Sequence, residues 1–144
     1  MNSPAINDIL NRLLILHERS LPIYLAYAPP WELENYPQVK AVIDQIVEDQ
    51  KRTVDRLATI ILENDGALDH GEYPMSFTSL HDLSVKYLLG QLIDRQTKLI
   101  GVIDKLAVQL TAAPYAQAAA REALGEAKGH LENLQELSCE PAGA

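Results

Sequence analysis

The chain has 144 residues, 47% of them hydrophobic, and a formal net charge of −8 from 12 basic and 20 acidic side chains. That length suits one domain, spanning residues 1–144, with enough apolar material for a real core. The acidic balance argues against duplex nucleic acid and against an anionic membrane surface, both of which require a basic footprint.

The opening stretch MNSPAINDIL has no basic run ahead of an apolar one, so no secretory signal is expected. No apolar run approaches the ~20 residues that a bilayer requires. The composition is that of a bacterial-type cytosolic protein, and a cytoplasmic location is the expectation. The one cysteine, Cys139, excludes an intrachain disulfide or thiolate zinc cluster. No phosphate loop, nucleophile elbow or useful Cys–His spacing is found.

Four helices are predicted, with no strand-like alternation. The first covers about 4–27. Ser3 is its N-cap and Pro4 its first-turn proline. Its apolar row is Ile6, Leu10, Leu13, His17, Leu21 and Tyr24. Pro22 falls inside this pattern and offers no N–H to Glu18, so a kink is expected there. The next stretch, YLAYAPPWELENYP, gathers Tyr24, Tyr27, Trp31 and Tyr36. These rings either plug the end of a helical core around a stiff turn or form a partner surface, with Tyr27, Trp31 and Tyr36 as its anchors.

The second helix covers about 37–65, from Pro37 to a left-handed stop at Gly66. Its row is Val39, Ile43, Ile46, Gln50, Val54, Leu57 and Ile61. A longer connection follows, which either caps one end of the fold or runs its whole length. Its His70 and Glu72, with His81 and Asp82 beyond, match no ligand spacing. The third helix, about 79–112, opens with a capping box from Ser79 to Asp82. Its row runs from His81 through Leu92, Gln96 and Leu99 to Leu110. The fourth, about 114–139, has the row Ala116, Ala120, Leu124, Ala127, Leu131 and Leu134, with His130 on its flank. A short tail, 140–144, ends the chain. Gly125 and Gly129, with Ala118 on the same outward face, mark either a homodimer contact or a tight fit to the chain's own loop. The mixed-charge runs EDQKRTVDR and DRQTK read as solvated helix surface.

Long amphipathic helices bury their apolar faces against one another, and four of them make an antiparallel bundle. One polar residue interrupts or flanks each row near mid-helix: His17, Gln50, Gln96 and His130. Mid-helix positions share one level of a bundle whichever way each helix points. The four are therefore expected to form one polar layer, with Glu18 and Glu126 as its supporting carboxylates. The spacing from His17 to Gln50 nearly equals that from Gln96 to His130, as two copies of one hairpin plan would give.

This layout resembles the ferritin-like superfamily. The resemblance implies one Glu from each of the first and third helices and Glu-x-x-His from the second and fourth. Here the fourth helix offers Ala127 and His130, the second Val47 and Gln50, the first His17 and the third Gln96. No bridging carboxylate stands at these places. A buried metal pair carries about four positive charges that amides and imidazoles cannot neutralise, so no dinuclear site is expected. The reading is a non-enzymatic binding or interaction module of ferritin-like, all-α architecture, with no cofactor and a structural His/Gln layer. The alternative is an oxidoreductase that holds one divalent metal ion or a small ligand in that layer.

Overall fold

The computed structural model describes residues 3–80 and 83–138. Among them every regular element is helical: α1 (Ser3–Glu18), α2 (Leu21–Tyr27), α3 (Pro37–Glu63), α4 (Val85–Val108) and α5 (Pro114–Ser138), with 3-10 helices at Trp31–Asn35 and Met75–Leu80. None is long and apolar enough to cross a membrane.

Where the sequence predicts one helix kinked at Pro22, the chain breaks. α1 stops at Glu18, and Ser20 turns to φ −74°, ψ 161°. Its hydroxyl accepts the Ile23 N–H at 3.3 Å, which caps α2. A serine able to cap, two residues ahead of a proline that cannot donate, favours a restart over a bend. The same hydroxyl donates to Gln50 Oε1 on α3. Ser20→Ala therefore removes a cap and orphans a buried amide. A loss of about 2–3 kcal/mol is expected in urea unfolding.

α3 starts at Pro37 as its sequence predicts, but its stop is built differently. The left-handed residue is Asp65, at φ 59°, not Gly66. Asp65 N–H donates to Leu62 C=O at 3.1 Å and Gly66 N–H to Ile61 C=O at 2.9 Å. This pairing closes the orphan carbonyls of the last turn. Gly66 is needed for space: a Cβ there would come within 2.5 Å of Asn7 Nδ2 and 2.8 Å of Ile61 Cγ2.

α4 begins later than its sequence predicts. Ser84 is its N-cap and accepts the Tyr87 N–H at 3.2 Å. Ser79 instead lies in the 3-10 helix Met75–Leu80, where Phe77 and Leu80 turn inward and hold the chain to the core. The rest of the predicted capping box, with His81 and Asp82, lies outside the described residues, as does Cys139.

Side-chain ties fix the directions. Asn7 pairs with Asn64, and Ser20 with Gln50, so α1 and α3 are antiparallel. Gln117 reaches Ala107, and Gln96 reaches Ala127, so α4 and α5 are antiparallel. His130 meets Asp49, and Arg56 meets Glu122, so α3 and α5 are antiparallel as well. It follows that α3 and α4 run the same way. The connection between them must travel the length of the fold, and it does so beside α1. Asn11 holds Ala67 and Asp69, Arg19 holds the His70 carbonyl, and Tyr24 packs against Tyr73 and Phe77.

The core has two apolar halves. One gathers Leu21, Leu25, Ile46, Phe77, Leu92 and Leu134; the other gathers Leu10, Leu13, Leu57, Ile61, Ile103 and Leu106. His17, Gln50, Gln96 and His130 are all buried. On each helix the polar residue falls between members of the two halves: Leu13 and Leu21 around His17, Ile46 and Leu57 around Gln50.

Candidate functional site

A cavity of about 10 Å³ lies at this level, lined by His17, Gln50, Thr53, Leu99, Ala123, Glu126, Ala127 and His130. That is about the space of one water molecule or one ion. Three of the four predicted layer residues meet here. Gln96 does not line it. Its amide turns to the Ala127 carbonyl at 3.1 Å, because that carbonyl lies across the close α4–α5 contact.

His17 donates from Nδ1 to the Leu13 carbonyl at 2.7 Å. A carbonyl only accepts, so Nδ1 carries the proton in the neutral ring and Nε2 keeps its lone pair. Burial is the main cause holding the His17 pKa below its ordinary value, and His130 adds to it, while the Leu13 bond opposes. The ring is thus a neutral base with one available acceptor on the cavity wall.

His130 Nε2 meets Asp49 Oδ2 at 2.8 Å, and Asp49 Oδ1 accepts from Arg52 at 2.6 Å and Gln45 at 3.1 Å. Burial alone would push the Asp49 carboxyl up. The His130, Arg52 and Gln45 hydrogen bonds outweigh it and hold the pKa below the ordinary carboxylate value.

Glu126 stands one turn before His130 on α5. Its Oε2 is buried with no hydrogen-bond partner among the described residues, and the Arg52 guanidinium lies 3.9 Å away. Burial, then the Asp49 charge, raises the Glu126 pKa, while Arg52 and His130 pull it back. One ligand atom from each of Asp49, Glu126 and His130 falls within 4.8 Å of the others. Two carboxylates and an imidazole converging at this spacing can hold one divalent ion. His17, on the same cavity wall, stands outside that cluster.

The residues do not fit a dinuclear carboxylate centre. The carboxylates that meet are Asp49 and Glu126, whereas Val47 and Ala127 occupy the bridging places that the resemblance implies.

Glu18 is elsewhere. Its carboxylate meets His70 Nδ1 at 2.7 Å on the connection, since a position one residue past His17 points off the core row. Asp49, Arg52 and Thr53 are not among the site residues that the sequence points to. Asp49 adjoins Gln50, but it belongs to the mixed-charge run that reads as solvated surface. The predicted aromatic group divides: Tyr36 packs against the apolar core, while Tyr27 is 82% and Trp31 77% exposed. A Cβ on Gly125 or Gly129 would meet nothing within 4 Å, so neither is a tight fit to the chain's own loop among the described residues.

Comparison of the chain with protein-family models, with curated proteins and with solved structures finds no match.

Proposed function

We propose that this chain is a binding module of four-helix-bundle, ferritin-like kind whose central layer holds one divalent transition-metal ion. The ion's protein ligands are Asp49, Glu126 and His130. The observation that carries this reading is the buried Glu126 Oε2, without a hydrogen bond among the described residues, which lies within 4.8 Å of ligand atoms of Asp49 and His130 beside a cavity of one-ion size that Glu126 and His130 line. Arg52 stands 3.9 Å from this oxygen and 2.6 Å from Asp49, yet burial and the Asp49 charge still raise the Glu126 pKa; a bound cation would offset what Arg52 leaves. The lengthwise connection between α3 and α4 supports the architectural part, since a single long crossover is the ferritin-like connectivity. The mixed nitrogen–oxygen ligand set suits zinc, manganese or iron.

His17 takes a supporting role. Its Nδ1 bond to Leu13 fixes the ring and leaves Nε2 as an acceptor, which would receive a hydrogen bond from a water on a bound ion. Binding would break the His130–Asp49 hydrogen bond, since both side chains would turn to the ion.

A second reading, a purely structural polar layer, draws on Gln50 and Gln96, each of which has one hydrogen bond within the protein. Calorimetric titration of chelator-treated protein with Zn²⁺ separates the two. The metal reading expects one equivalent and about tenfold weaker binding in His17→Leu, with that variant's fold intact. Absence of saturable binding, or equal binding in Asp49→Asn, sinks it.

A further inference from the structure

A second, larger cavity, with Gln96 on its wall, lies between the α1–α2 break, the long connection and α4. Its volume is about 280 Å³. This is near the lower end of the range for small organic ligands. Its walls are largely apolar, Phe77 and Leu99 among them, yet they carry Arg19, Arg95 and Lys98 against one acid, Glu72. That excess of cations is contrary to a chain whose net charge is −8.

The two arginines are the informative groups. Arg95 Nε is buried without a hydrogen-bond partner among the described residues. Its guanidinium lies 4.6 Å from the Phe77 ring centre, and one terminal nitrogen meets Ser76 Oγ at 3.3 Å. Arg19 donates Nε to the His70 carbonyl at 3.0 Å and lies 4.9 Å over the Tyr73 ring. Neither is in an ion pair among the described residues, whereas Lys98 already pairs with Asp94 at 3.0 Å. Rings and a carbonyl hold both guanidinium groups in place without neutralising them. A fixed, half-buried guanidinium with an unmet donor calls for a planar anion that accepts two hydrogen bonds. The apolar walls call for a hydrocarbon body beyond it.

We propose that this cavity binds an organic carboxylate with an apolar body, its carboxylate on Arg95 and Arg19 and its body against Phe77 and Leu99. The site is separate from the metal layer, with which it shares Leu99 as a wall.

Octanoate and 1-octanol are the probes, each titrated calorimetrically in the presence of a chelator so that metal plays no part. Octanoate is expected to bind one per chain, and 1-octanol at least tenfold more weakly. Arg95→Gln should weaken octanoate at least tenfold and leave 1-octanol unchanged, while Val102→Phe, which fills the cavity, should weaken both. Equal binding of the two probes by the unsubstituted protein overturns the proposal. So does failure of octanoate to bind, or octanoate binding that Val102→Phe does not change. Should Arg95→Gln fail to fold, the ratio of the two probes on the unsubstituted chain still decides.

Discussion

Glu126→Gln is expected to weaken zinc binding by at least 100-fold and to make the metal-free protein more stable at pH 7. The two effects have one cause. Glu126 sits half-buried beside Asp49 with an unbonded oxygen, and its pKa is raised, first by burial and then by the Asp49 charge. A carboxyl with a raised folded pKa contributes its stability below the ordinary value and loses it as pH rises through the folded value. At pH 7 the charged form is therefore a burden that the neutral amide removes. The gain stays below about 1 kcal/mol, because the side chain is 25% exposed and solvent screens it. Asp49 has the opposite sign. Its pKa is lowered, so its contribution is present above the ordinary value and fades as pH falls through the folded one. Urea titrations of the metal-free protein between pH 3 and pH 7 test both parts. The unsubstituted chain should lose stability at the acid end through Asp49, and Glu126→Gln should exceed it only at the neutral end. A variant that is weaker at pH 7, or that binds zinc unchanged, contradicts the account of Glu126.

Leu57→Ala carries the largest expected loss of stability, about 3–5 kcal/mol. Leu57 is fully buried on α3 and packs in the half of the core that holds Leu10, Leu13, Ile61, Ile103 and Leu106. Its neighbours come from several helices, so none can close the hole alone, and the cavity cost adds to the transfer cost. Val39→Ala in the other half should cost less, near 1–2 kcal/mol, since fewer methyl groups leave and the site is 8% exposed. Urea midpoints at constant slope measure the difference. Equal losses at the two sites would show that the half around Leu57 is not tightly packed.

The helices were legible because prolines mark several of their starts and apolar residues repeat inside them. Pro37 and Pro114 begin helices as their first-turn preference requires. The burial of His17, Gln50, Gln96 and His130 was legible for the same reason: each stands on or beside an apolar row. Asp49 was not. It belongs to a mixed-charge run that reads as surface, and its inward turn depends on α5 bringing His130 within 2.8 Å, a contact between residues distant in sequence. Gln96 shows the converse. Periodicity placed it in the core, but the Ala127 carbonyl decided where its amide points. The direction of the long connection was equally hidden. It follows from which helix ends meet, as Asn7 and Asn64 do, and not from the composition of the connection. At the stop of α3, glycine was the natural left-handed residue, yet Asp65 takes that conformation, and Gly66 serves instead where Asn7 leaves no room for a Cβ.

The most direct test of the central claim is an anomalous-difference map from crystals grown with Zn²⁺. The account predicts one peak per chain, at about 2.0–2.2 Å from a nitrogen of His130 and from carboxylate oxygens of Asp49 and Glu126. A map with no anomalous peak in the central layer at saturating Zn²⁺, or with zinc only on surface side chains such as His70, would contradict it.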